Sequence, residues 1–316
     1  MATSKLKKIL GGTIVALAAL STAGYLAADH YKHDLYNAAI GKQAEAANIS
    51  KHTVTIGDIE FSYLENELKG KKPTLLLVHG FGAFKENWLG FSMPLKDNFH
   101  LVMIDLPGHG ETTTDFKTNY DLDLQVERLH RFTTQVIGQP FHMAGSSMGG
   151  AISALYAATY PADVLSATLI DPGFINDVKS ELDGYLDKGV HPLIVSNAQD
   201  FEFMIDFSMA QKPFMPWPMS EVSMLKMADR KALNDKIWQD LTGEHNYDLK
   251  EAISRIESPT LIMWGEKDRV IHPGNAEIYK RLIPNSKVHL FENVGHAPMI
   301  EIPEQSALVL KNFIEG

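Results

Sequence analysis

Short unbroken apolar runs recur along this chain. They read TLLLVH at 74–79, LVMID at 101–105, FHMA at 141–144, ATLID at 167–171, TLIMW at 260–264 and VHLF at 288–291. Runs of this length without polar alternation predict strands covered on both faces. Upstream, Val54, Ile56, Ile59, Phe61 and Tyr63 alternate with polar residues around Gly57-Asp58, which predicts a β-hairpin. Between the runs the period changes. Leu122, Val126, Leu129, Phe132, Val136 and Ile137 form one amphipathic helical stripe, and residues 151–160 form a helix of small residues. Strands alternating with helices predict an α/β fold, a mostly parallel central sheet with helices on both faces.

Two segments break that rhythm. Residues 174–257 separate two strand runs by far more than a crossover needs, and they predict a helical cap inserted above the sheet. Six of the 13 methionines lie between Met204 and Met227, beside the apolar stretch FEFMIDFSMAQKPFMPWPM at 201–219. Methionine suits apolar surfaces that must adapt, so Phe207, Met209, Phe214 and Met215 are expected to line a substrate pocket, while the other cap apolars form its own core. The second break is N-terminal. Lys5, Lys7 and Lys8 precede an uncharged run over 9–28 that is long enough to cross a bilayer as a hydrophobic helix. It reads as an uncleaved signal anchor or a cleaved signal peptide, and either places the rest on the exported, periplasm-like side, membrane-anchored or secreted. The expected organisation is 1–28 anchor or signal, 29–50 linker or stalk, 51–173 with 258–316 as the core, and 174–257 as the cap.

Composition narrows the chemistry. The chain has 316 residues, a formal net charge of −10 and no cysteine. Thiol nucleophiles, disulfides, iron–sulfur clusters and Cys-ligated zinc are excluded. The acidic balance argues against nucleic acid as a partner. No metal or cofactor motif is present.

The reactive groups stand just past the predicted strands. Gly145-Ser146-Ser147-Met148-Gly149 fits G-x-S-x-G between the FHMA strand and the small-residue helix, the context in which a sharp turn exposes a serine nucleophile. A serine hydroxyl needs a base near neutrality and an acid to orient it, in chain order Ser, Asp/Glu, His. Asp268 follows the TLIMW strand and His296 follows the VHLF strand. Ser147, Asp268 and His296 are therefore the expected triad. Glu266, on the same loop, and Asp171, past the strand before the cap, are rival acids. The oxyanion donors expected are the backbone N–H groups of Met148, after the nucleophile, and Phe81, in the HGFG loop at 79–82. His79 is expected to hydrogen-bond structurally.

HGFG, DLPGHG (105–110), GSSMGG, GEKDRV and ENVGHAPMIEIPE occur in order. Together they resemble the α/β-hydrolase superfamily from about Lys51 to the C-terminus. Within it, HGFGAFKENW, DLPGHGETT, QVERLHRF and the N-terminal apolar run are most similar to membrane-anchored monoacylglycerol lipases and exported bacterial lipases and esterases. That resemblance implies ester hydrolysis through an acyl-enzyme, no cofactor, and an acyl pocket under the cap for a small-molecule lipid or ester substrate. A C–C bond hydrolase of the same fold is the alternative, since its elbow also often reads G-x-S-M-G-G. So is a non-catalytic binding protein, although such proteins typically lose a triad residue. A peptidase of this fold usually carries a feature for the substrate amine that GSSMG lacks.

Overall fold

The computed structural model describes residues 29–243 and 248–316. The expected hydrophobic helix over 9–28, with its anchor or signal role, lies outside them. Among the described residues no helix is long and apolar enough to cross a membrane.

Eight strands form one sheet: β1 (Ile49–Ile56), β2 (Ile59–Asn66), β3 (Thr74–Val78), β4 (His100–Ile104), β5 (Phe141–Ser146), β6 (Val164–Ile170), β7 (Thr260–Gly265) and β8 (Ser286–Phe291). Their order is β1-β2-β4-β3-β5-β6-β7-β8. The β1–β2 hairpin and the β2–β4 pairing are antiparallel, and every other pairing is parallel. Each apolar run of the sequence is a strand. β3, β4 and β7 are buried along their whole length, as two-sided cover requires, whereas the edge strands β1 and β8 carry exposed positions.

On one side of the sheet the amphipathic stripe becomes α2 (Leu122–Val136), packed with α3 (Met148–Thr159) over β5 and β6. Glycines set how closely α3 approaches. A Cβ on Gly145 would lie 2.0 Å from the Gly149 carbonyl oxygen, and one on Gly149 would lie 2.3 Å from that of Val78. The other side buries Trp88, Phe91, Leu95 and Phe99 against β3 and β4.

Between β6 and β7 the chain leaves the sheet for α4 (Glu181–Leu186), α5 (Ala198–Ser208), α6 (Met219–Asp229) and α7 (Lys231–Leu241), then α8 (Leu249–Ile253). An earlier helix, α1 (Lys32–Ala46), lies against α6: Lys32 pairs with Glu221 at 2.7 Å, and Lys226 sits 4.4 Å above the buried Tyr36 ring. The stretch expected to be a linker is thus packed against the inserted helices.

Candidate active site

The site is built where β3, β5, β6, β7 and β8 end at one edge. At the end of β5 the chain must turn at once into α3, and Ser147 takes φ 54° and ψ −117° there. A non-glycine residue with these angles costs about 1–3 kcal/mol and persists only where its surroundings hold it. Here Ser147 N–H donates to the Ile170 carbonyl (2.9 Å), and the Ser147 carbonyl accepts from Gly173 (3.0 Å) and Ala151 (3.1 Å). The turn is clamped from β6 and from α3 together.

Past β7, Asp268 is 5% exposed. Its Oδ1 accepts from the backbone N–H groups of Val270 (2.8 Å) and Ile271 (2.9 Å). Its Oδ2 lies 2.8 Å from His296 Nδ1. A carboxylate can only accept, so Nδ1 carries the proton and Nε2 is left with its lone pair. His296 N–H donates to the Ser208 carbonyl at 2.7 Å. Among the described residues Ser147 Oγ makes no hydrogen bond to His296, whose Nδ1 is engaged by Asp268.

The loop after β3 completes the edge. A Cβ on Gly80 would stand 3.2 Å from Ser147 Cβ, so this loop lies directly over the serine. Buried His79 bridges it: Nδ1–H donates to the Gly80 carbonyl (2.7 Å) and Nε2 accepts from Leu106 N–H (3.0 Å). Burial pushes the His79 imidazole down to about 4, which keeps it neutral in this tautomer. The N–H groups of Phe81 and Met148 have no acceptor among the described residues. For Met148 the reason is positional, since the first N–H of a helix has no intrahelical partner.

Ser147 and His296 open onto one cavity of about 190 Å³. Gly80 and Phe81 form its core wall. Phe201, Met204, Met209 and Met215 form much of the opposite wall. Larger clefts of about 610 and 750 Å³ flank α1 but contain neither Ser147 nor His296. Of the four expected pocket residues, Met209 and Met215 reach the cavity. Phe207 does not, because the inner face of α5 turns it into the core, with Tyr185 5.4 Å from its ring and the Arg269 guanidinium 4.9 Å above it. Phe214 does not either. It is 91% exposed, on a segment punctuated by Pro213, Pro216 and Pro218.

The rival acids separate clearly. Glu266 is exposed and bonded to nothing at the site. Asp171 is fully buried beside Asp268 and His296, but His296 Nδ1 donates to Asp268. Sequence reasoning quoted the ENVGHAPMIEIPE motif without seeing what Glu301 does in it. The Glu301 carboxylate accepts backbone N–H groups from Gly295 (2.9 Å) and Ala297 (3.1 Å), on either side of His296, and from Ala210 (2.9 Å) and Gln211 (2.8 Å), after α5. One side chain therefore ties the histidine loop to the inserted segment.

The profile of the α/β-hydrolase family matches residues 75–307. The chain belongs to that family. It is 35% identical over 267 residues to Lipase 3 of Moraxella sp. (strain TA144), covering 84% of each chain. To human monoacylglycerol lipase ABHD6 it is 32% identical over 269 residues, covering 81% of this chain and 80% of that one. Among solved structures, one described as a membrane phospholipase A and bacterial virulence factor superposes with a TM-score of 0.87 at 37% identity, covering 98% of each chain. Family membership agrees with the sheet order and with the serine turn after β5.

Proposed function

We propose that this α/β hydrolase is a serine lipase or esterase that cleaves carboxylic esters of apolar acyl chains, with Ser147 as nucleophile, His296 as base and Asp268 as orienting acid. One observation carries the reading: a strained serine and a carboxylate-paired histidine open onto the same methionine-lined cavity.

In the reaction, His296 Nε2 takes the Ser147 Oγ proton as Oγ attacks the ester carbonyl. Asp268 holds Nδ1–H and stabilises the imidazolium that forms. The carbonyl oxygen gains negative charge and is met by the unpaired N–H groups of Phe81 and Met148. The imidazolium then gives its proton to the leaving alkoxide, which departs as the alcohol and leaves an acyl-serine. Water, deprotonated by His296, releases the acid and restores Ser147.

Residues 174–257 act as the cap, and its apolar wall sets acyl preference. Each buried methylene contributes about 0.8 kcal/mol, and remote contacts of this kind can raise kcat/KM by positioning the carbonyl. We read the uncharged run over 9–28 as a signal anchor that would hold the enzyme at a membrane on the exported side, or as a signal peptide whose cleavage would release it there. Hydrolysis of p-nitrophenyl esters from acetate to palmitate tests the reading. We expect kcat/KM to peak beyond butyrate. A clear preference for acetate would make the cap wall merely structural and end the lipase reading.

A further inference from the structure

Asp171 stands immediately after β6 with φ 44°, fully buried. Its N–H donates to the Met263 carbonyl (2.9 Å), and its Oδ1 accepts from Gly265 N–H (2.9 Å). Its Oδ2 is buried and has no donor among the described residues. One side-chain nitrogen or oxygen from each of Asp171, Asp268 and His296 lies within 4.8 Å of the others. Charging both of two buried carboxylates this close is costly, which favours one proton between them. The hydrogen bonds decide which one stays charged. Asp268 receives two backbone N–H groups and the imidazole N–H, whereas Asp171 receives one. A proton on Asp171 Oδ2 would turn that orphaned acceptor into a donor, with the Asp268 carboxylate the neighbouring acceptor.

We propose that Asp171 is a positioning residue, a neutral acid that donates its proton in a hydrogen bond to the Asp268 carboxylate and thereby limits the negative charge facing His296. The role rests on the triad assigned above. The charged groups facing Asp171 are Asp268 and, beyond it, Glu301, both acids, with His296 the neighbouring titratable base. Burial and then the charge of Asp268 hold the Asp171 carboxyl well above the usual carboxylate range. With one proton between the two acids, a single negative charge balances the single imidazolium formed in turnover. Without the Asp171 donor, the bare Asp268 carboxylate would hold the imidazolium more firmly, and a histidine that stays protonated is no base.

Two variants and one spectrum test this. Asn at 171 keeps an acceptor for Gly265 and a donor for Asp268, and it tolerates the left-handed backbone, so Asp171→Asn should keep kcat/KM within about threefold with an unchanged pH profile. It should also be more stable than wild type at pH 7. In wild type the unfolded Asp171 ionises above about 3.9 while the folded one keeps its proton, so folding loses stability as pH rises; the advantage of Asn should vanish below that value. Asp171→Ala should move the acid limb of kcat/KM alkaline by about one pH unit. In the infrared, a protonated carboxyl stretch should be present in wild type and in Ser147→Ala, and absent in Asp171→Asn. Loss of more than about a hundredfold in Asp171→Asn would show that Asp171 works ionised, as a triad acid does, and would overturn the proposal. So would absence of the infrared band, or a stoichiometric divalent cation held by the three side chains. Neither the spectrum nor the stability difference needs turnover. A protein with the band but no esterase activity would therefore sink the proposed function and leave the acid pair standing.

Discussion

The cavity has two walls of different character. The core wall is made by backbone: the turns at Gly80–Phe81 and Ser147–Met148 and the loop at His296, each within bonding reach of a strand end. Facing it, the inserted helices present flexible side chains such as Met204, Met209 and Met215. One wall is held by hydrogen bonds that tolerate few residues, the other by packing that tolerates many. Under the proposed function, the division would suit constant chemistry on acyl chains that vary. Glu301 spans the two, accepting N–H groups from both.

The largest effects should come from the core wall. Ser147→Ala should lower kcat by about 10⁶, and Asp268→Asn by about 10⁴ through the wrong imidazole tautomer, each with the fold intact by circular dichroism. If Asp268→Asn stays within tenfold of wild type, the orienting acid is another residue.

Next is the support behind that wall. Lys85 and Asp105 are both fully buried and paired at 2.7 Å, and Glu111 joins Lys85 at 2.8 Å. Asp105 also accepts the N–H groups of Lys85 and Glu111, so it binds the loops after β3 and β4 together. Lys85→Met strands a buried carboxylate and should cost about 3–5 kcal/mol in chemical denaturation. A loss below 1 kcal/mol would mean that the network is dispensable.

Acid should loosen both sides of the cavity. His79 and His191 are pushed down to about 4 by burial, and His109 is well below its ordinary value for the same reason. The unfolded chain protonates these imidazoles near pH 6.5 while the folded one resists, so it binds more protons between the two values. The stability that these neutral imidazoles contribute is therefore full above about pH 6.5 and falls as pH drops toward 4, by about 3 kcal/mol for fully buried His79, against the opposite slope of Asp171. Denaturation midpoints with the same pH dependence in wild type and His79→Asn across that window would contradict the neutral, buried assignment of His79.

The smallest effects belong to the methionine wall. Met209→Ser or Met215→Ser should cut kcat/KM for octanoyl esters by about tenfold relative to acetyl esters, as expected for one or two lost methylene contacts. Phe214→Ser, at a position 91% exposed, should leave the profile unchanged. A larger change at Phe214 than at Met215 would place the acyl chain elsewhere.

The contrast between the walls also explains what could be read from the chain. The places of Ser147, Asp268 and His296 just past their strand ends were legible because a turn leaving a parallel strand admits few residues, glycine above all where a Cβ would strike a carbonyl. The DLPGHG motif was visible, but the partner that gives Asp105 its role, Lys85, lies 20 positions earlier. Phe207 was misplaced because α5 is apolar on more than one face. Phe201 and Met204 line the cavity while Phe207 enters the core, and periodicity cannot say which face meets which. Phe214 was misplaced because its proline-punctuated segment has no period to read. The N–H donors of Glu301 come from two distant segments, which no local pattern brings together.

The central claim is that Ser147 carries the acyl group. Wild-type protein treated with a long-chain alkyl phosphonate ester and digested for peptide mass mapping tests it directly. The account predicts one adduct, on Ser147, formed in step with loss of esterase activity and absent from Ser147→Ala. An adduct on another serine that tracks the loss, or hydrolysis that continues once Ser147 is fully modified, would contradict it.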